Sequence, residues 1–284
     1  MSVFRVTFPF KLGAFLTISV ISIGFSNAQG RLLAIERSGI LQQLNMSTGV
    51  ATQIGALSGA GPTLNVTGAT FDPITKTVYF AMNVGTERSL YRLNLETFAH
   101  TLIGSFGQTL LMSGLEFDPS TNKLYGMSNT LAGTTGFFEI NKATGAATLI
   151  GSNAVHVGGE FSMGYVPSTN TLYTSSSGSD RLYTVNRANG QLTDIGPTLS
   201  PFLSAGAFNS DTNIMYMADS STDKLHRINL ATGNATEVGL MGPSTINITS
   251  MFYIPAETAP VPEPGTLAVL GLGAVAFFRR KRKK

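Results

Sequence analysis

The chain has 284 residues, no cysteine, no tryptophan, 12% charged residues and a formal net charge of +3. Without cysteine it has no disulfides, zinc–thiolate sites or cysteine nucleophiles, so stability must come from packing alone. The positive charge belongs to the ends: Arg5 and Lys11 at the start, Arg279–Lys284 at the finish. Residues 29–261 between them hold 11 basic and 15 acidic residues, net −4, which removes the electrostatic case for a nucleic-acid partner.

Arg5 and Lys11 precede an apolar run from Leu12 to Phe25, and Ser26-Asn27-Ala28 puts small residues at the −3 and −1 positions. That order predicts a secretory signal peptide over 1–28, cut between Ala28 and Gln29.

The next 228 residues, 29–256, repeat. Phe71-Asp72-Pro73, Phe117-Asp118-Pro119 and Tyr165-Val166-Pro167 open three parallel passages, with degenerate copies at Phe208-Asn209-Ser210 and Tyr253-Ile254-Pro255. A second apolar segment follows each of the first four, at Val78-Tyr79, Leu124-Tyr125, Leu172-Tyr173 and Met215-Tyr216. A third segment ends in Asn45, Asn94, Asn141, Asn186 or Asn229. A turn follows, carrying Thr48-Gly49, Thr144-Gly145, Asn189-Gly190 and Thr232-Gly233, with Thr97-Phe98 breaking the pattern. A fourth segment closes on Thr-x-Ile/Val-Gly at Gly55, Gly104, Gly151, Gly196 and Gly239. Four short strands per ~45 residues, divided by turn formers, predict an all-β fold: a five-bladed β-propeller. The first unit lacks its opening strand and the last has only that strand, so pairing of the N- and C-terminal strands makes one blade and leaves no unpaired edge between the chain ends. These repeats resemble YVTN- and NHL-like propellers, a resemblance that implies a fold and no activity.

Residues 257–261 read as a short linker, and 262–284 as a sorting signal. Pro262-Glu263-Pro264 is followed by an apolar stretch from Leu267 to Phe278 and then by the basic cluster that begins with Arg279 and Arg280. As a helix that stretch would be only ~18 Å long, against a hydrocarbon core of ~30 Å. The basic cluster favours the cytoplasmic side. The motif, apolar helix and basic end together resemble the PEP-CTERM sorting signal. The resemblance implies transient anchoring in the inner membrane, processing by exosortase after the secretion machinery has acted, and release to the surface or matrix. It points to exopolysaccharide or another matrix component as partner. The tether is short, so the Asp-Pro turn face is expected to lie toward the membrane while anchored.

Most repeated residues read as turn and packing chemistry, with Gly68, Gly114, Ser162, Gly206 and Ser250 relieving crowding near the axis. An enzyme reading needs two facing carboxylates ~5–10 Å apart. Along the first strands Glu116 is the interior carboxylate, its equivalents being Thr70, Gly164, Ala207 and Phe252; Glu160 lies just before the third such strand. A glycan-active enzyme using that pair is one alternative, and a purely structural coat protein is another. His100, His156 and His226 fall at different repeat positions and suggest no metal cluster; Asp219–Asp223 is a polar loop without EF-hand spacing. Hence no catalytic residue, cofactor or metal ligand is assigned. The loops of varied length share one face, and Glu87, Glu116, His156, Glu160 and Asp219 are the candidates there for touching a ligand.

Overall fold

The computed structural model describes residues 29–107, 110–128, 136–152, 159–242 and 246–256. The expected signal peptide with its cleavage residue Ala28, the sorting motif with Pro262, Glu263, Pro264, Arg279 and Arg280, and His156 lie outside these. All the strands belong to one compact unit, Gly30–Pro255.

Twenty strands form five four-stranded antiparallel sheets. Blade 1 consists of β4 (Asn65–Asp72), β5 (Thr77–Val84), β6 (Glu87–Leu93) and β7 (His100–Ser105). Blade 2 comprises β8 (Met112–Asp118), β9 (Lys123–Ser128), β10 (Gly136–Ile140) and β11 (Ala147–Gly151). Blade 3 has β12 (Phe161–Val166), β13 (Thr171–Ser176), β14 (Arg181–Val185) and β15 (Leu192–Pro197). Blade 4 has β16 (Leu203–Asn209), β17 (Ile214–Asp219), β18 (Lys224–Ile228) and β19 (Ala235–Leu240). Blade 5 joins the chain ends: β20 (Ile248–Ile254) pairs with β1 (Arg31–Glu36), followed by β2 (Ile40–Leu44) and β3 (Ala51–Ala56). Leu32 faces Tyr253 and Ala34 faces Met251 across that closing ladder. The five-bladed, end-paired ring expected from the repeats is the fold, and its one helical element among the described residues is a single turn at Pro167–Thr169.

The opening strand of each blade lies innermost. It is covered by a neighbour on both faces, which is why β12 and β16 are buried throughout and show no alternation. The outermost strands β3, β7 and β19 face solvent and carry the polar residues. One apolar cluster fills each seam between blades, with Leu115, Phe117 and Phe138 of blade 2, for example, meeting Tyr79 and Leu90 of blade 1.

Around the axis, adjacent inner strands converge without sharing a backbone ladder. Small residues make the convergence possible: a Cβ on Gly206 would stand 2.9 Å from the Met163 carbonyl oxygen. At this height, ringed by Gly68, Gly114, Ser162, Gly206 and Ser250, the channel shrinks to about 10 Å³. Buried hydroxyls then tie strand to strand. Thr67 donates to the Met112 carbonyl at 2.6 Å, Ser204 to Ile248 at 2.8 Å and Thr249 to Val66 at 2.6 Å, while Ser113 accepts from the Phe161 amide at 3.1 Å. Replacing Thr249 with Val keeps the shape and deletes one of the bonds that join blade 5 to blade 1, the one at the axis. Urea unfolding of Thr249→Val should show a loss of about 1–2 kcal/mol, and an unchanged midpoint would mean that this hydroxyl is not part of the closure.

Candidate functional site

The two faces of the ring are built differently. One carries the Asp-Pro turns and the Asn-x-x-Thr-Gly turns. There the Asp72 Oδ1 accepts from the amides of Ile74 and Thr75, at 2.8 and 3.1 Å, which is the expected turn chemistry. Each of these aspartates also reaches the next blade. Asp72 Oδ2 takes Lys142 Nζ at 2.9 Å, and Asp118 pairs with Arg187. Lys142 in turn lies 4.4 Å over the Phe117 ring, and Arg187 lies 5.7 Å over Tyr165. Burial by itself would raise both carboxyls. For Asp72 the Lys142 bond and turn amides more than offset it; for Asp118 the bonds from Ser120, Thr121 and Arg187 do, so both sit below the ordinary value.

Where the acid is missing, so is the cation. At the three remaining seams Val166 shares a cluster with Leu230, Ile254 shares one with Leu95, and the Asn209 amide meets Met46 Sδ at 3.1 Å. Lys142, Arg187, Leu230, Met46 and Leu95 all directly follow the Asn that ends a third strand. Sequence reasoning missed this matching, although the repeat alignment carries it. The closing glycines have a similar role: a Cβ on Gly104 would overlap the Thr144 carbonyl of the next blade. Phe98, which breaks the Thr-Gly pattern, covers Gly55 in the same way.

The channel mouth on this face is a cavity of about 80 Å³, lined by Thr70, Glu116, Tyr165, Ala207 and Phe252 among others, with Pro255 at its rim. Glu116 is partly buried there. Its Oε1 accepts from the Tyr165 amide at 3.3 Å and its Oε2 from the Thr70 hydroxyl at 3.4 Å, both long contacts. Desolvation outweighs them and pushes its pKa up to about 8.

Glu160 occupies the opposite end of the ring. It pairs with Arg37, whose other nitrogen donates to Asn65 Oδ1 at 3.1 Å. Glu116 is level with Tyr165, five residues further along the strand that Glu160 precedes, so the two backbone positions are ~15 Å apart. The structure therefore does not bring them together.

Of the other candidates, Glu87 is exposed at the start of β6. Asp219 is fully buried at the end of β17, accepting from Ser200 Oγ at 2.7 Å, from the Ser221 amide and hydroxyl at 2.8 and 2.6 Å, and from the Thr222 amide at 3.1 Å. Its companion Asp223 accepts from the Ile246 amide at 3.0 Å. Both carboxylates brace the loops, and Asp219, expected to be available to a ligand, is instead saturated. Among the described residues no group of three or more His, Asp or Glu converges as a metal site would require.

A repeat of unknown function, DUF6923, matches residues 113–254, half of the chain. The chain belongs to this family. The PEP-CTERM protein-sorting motif matches residues 260–283. That motif marks an exported protein targeted to exosortase, anchored transiently in the membrane and then placed at the surface or outside the cell. No curated protein matches in sequence. Among solved structures, the chain resembles one in a nidogen/laminin complex, with TM-score 0.57 and 14% identity over 81% of this chain and 100% of that one. It also resembles a protein of unknown function from Bacteroides thetaiotaomicron (TM-score 0.54, 16% identity, 80% of this chain and 62% of that one). A third is an auxiliary nutrient binding protein from the same organism (TM-score 0.50, 14% identity, 78% of this chain and 60% of that one). The propeller thus spans about three-fifths of the two Bacteroides chains, and at these identities the likeness is one of fold.

Glu116 makes the stability of this family member depend on pH in a defined direction. The folded state keeps the proton that the unfolded chain releases near 4.5, up to a folded value of about 8. Stability should therefore fall as pH rises across that window, by at most about 1.4 kcal/mol per pH unit. Glu116→Gln should melt close to wild type at pH 4.5 and several degrees higher at pH 8. Parallel melting profiles for the two proteins would show that the carboxyl is solvated.

Proposed function

We propose that the protein is a non-catalytic propeller that binds exopolysaccharide or another surface partner in the extracellular matrix, through the face that carries its varied loops. The sorting motif supports export to the place where such partners lie. The observation that carries the binding reading over an enzymatic one is the separation of Glu116 and Glu160, held at opposite ends of a channel that narrows to about 10 Å³ between them. The cavity around Glu116, at about 80 Å³, is also well below the ~300–1,000 Å³ typical of small-molecule sites.

The contact face is the one formed by the loops from fourth to first strands and from second to third strands. The repeated Asp-Pro and Asn-x-x-Thr-Gly turns opposite are occupied with joining blades. Varied loops on a closed scaffold are where recognition residues can change without loss of the fold.

Two measurements test this reading. Intact mass of the protein recovered outside the cell should correspond to a chain that begins near Gln29 and lacks Arg279–Lys284. A retained basic end on released material would contradict the sorting scheme. Purified Gly30–Pro255 should co-sediment with the host's insoluble matrix without shortening its polysaccharide. Hydrolysis that disappears in Glu116→Gln would overturn the non-catalytic reading.

A further inference from the structure

One loop of the varied face is inverted in polarity relative to its equivalents. In three other blades, the second residue after the closing glycine is Leu57, Phe106 or Met241. Each is buried and donates its amide to a carbonyl at the start of the third strand of its own sheet, that of Gly39, Arg88 or Asp223 respectively. The loop between β15 and β16 makes the same backbone bond, from Thr198 to the Asp180 carbonyl at 2.8 Å, yet puts a hydroxyl in the buried slot. Thr198 is 1% exposed and Ser200 is 6% exposed, while Leu199 and Phe202 are 73% and 52% exposed. Buried polar and exposed apolar residues here reverse the ordinary rule.

The backbone is forced to this arrangement. Leu199 has φ 58° and Phe202 φ 55°, both left-handed, a conformation that costs a bulky residue of the order of 1–2 kcal/mol. The other left-handed non-glycine residues recur or pack locally: Lys76, Asn122, Asn170 and Asn213 share one turn position, Asp180 and Asp223 another, and Phe98 packs on Gly55. Leu199 and Phe202 have no such packing. The loop is nonetheless held firmly, by Ser200 Oγ to the buried Asp219 carboxylate at 2.7 Å and by the Ser220 amide to the Phe202 carbonyl at 3.2 Å. A strained, well-braced loop that turns an aromatic and an aliphatic side chain outward is organised for contact.

We infer that the loop Thr198–Phe202 is a carbohydrate site, at which the Phe202 ring stacks on the apolar face of a sugar in an uncharged polysaccharide chain, Leu199 extends that surface, and the exposed turns ending at Asp180 and Asp223 supply polar contacts. This rests on the proposed binding role and gives it a place and a ligand class. The chemistry of the patch selects the occupant. Ser221, Thr222 and Asp180 around it are exposed hydrogen-bonding groups. The nearest strand cations are already paired, Arg181 with Asp194 and Lys224 with Glu237. An anionic polymer would meet carboxylates and no unpaired cation from these strands, whereas an uncharged sugar meets an aromatic platform flanked by polar groups. Two side chains offer a few hundred Å² at most, short of the ~800 Å² per partner of a stable protein interface.

The test is an array of neutral glucans, mannans, galactans and xylans beside uronate and sulfated polymers, probed with Gly30–Pro255, followed by titration of the best neutral oligosaccharide. Wild type should bind neutral polymers. Phe202→Ala should weaken binding at least tenfold and Leu199→Ala several-fold. Ile74→Ala, an equally exposed apolar residue on the opposite face, should have no effect. Phe202→Gly should lose binding while melting no lower than Phe202→Ala, because glycine accepts the left-handed backbone. Neutral-polymer binding that survives both alanine variants would overturn this site and leave the matrix-binding role standing. Binding of acidic polymers alone would overturn the ligand class. Binding of no polymer of either kind would remove the site and the polysaccharide reading together.

Discussion

Five strands meeting around one axis impose the constraint on which the rest of this structure depends. They run close together but do not form a common sheet, so their backbones cannot be joined by a ladder. The chain solves this with glycine and serine where the strands approach most nearly and with hydroxyls that reach the next strand's backbone, such as Thr67 on Met112 and Thr249 on Val66. Because those hydroxyls are buried, each is worth more to the fold than a surface hydrogen bond would be. The plugged axis is the price of this solution, since it leaves no through-channel in which a large ligand could be held.

Further from the axis, five seams that serve the same purpose use different chemistry. Two are closed by a buried aspartate and a cation from the next blade, two by an apolar pair, and one by asparagine and methionine. Charge and its partner change together because a buried carboxylate without its cation costs several kcal/mol, whereas a matched apolar pair costs nothing in desolvation. This explains how the motif can degenerate from Phe-Asp-Pro to Tyr-Val-Pro without loss of the fold. It also explains why Asp72 and Asp118 are poor candidates for chemistry: both are already committed to holding blades together.

The opposite face is joined differently, with Arg37 bridging Asn65 of blade 1 and Glu160 ahead of blade 3. Its loops differ in length, and in one of them the burial rule is reversed at a cost in backbone strain. Closure of the ring by β20 and β1 lets a scaffold without disulfides carry such strain, since the chain ends are held in a ladder rather than left unpaired. Export by the sorting signal then places that face at the surface or outside the cell.

The number of blades, the end-to-end closure, the innermost position of each opening strand and the sorting address at 260–283 were all legible in the sequence. These are written in local chemistry: turn formers at a fixed spacing, alternation, and the ordered motif, apolar and basic blocks of the C-terminal end. It also identified Glu116 as the carboxylate of the channel, because one repeat position differs in kind from its four equivalents. Tertiary structure alone decided what those residues meet. Glu116 and Glu160 are near in repeat position yet belong to neighbouring blades, with Glu116 level with Tyr165, five residues of ~3.3 Å rise beyond Glu160. Asp219 looked open in a polar loop and is instead saturated by hydroxyls and amides, one of them brought from Ser200 across the blade. The pairing of Asp72 with Lys142 spans 70 positions, and the outward turn of Leu199 and Phe202 follows from a buried Thr198 and Ser200. Contacts between blades depend on which side chains the closed ring brings together; the repeat alignment carries the matching of acid to cation at the seams but not the bracing of Asp219 or the outward turn of Leu199 and Phe202.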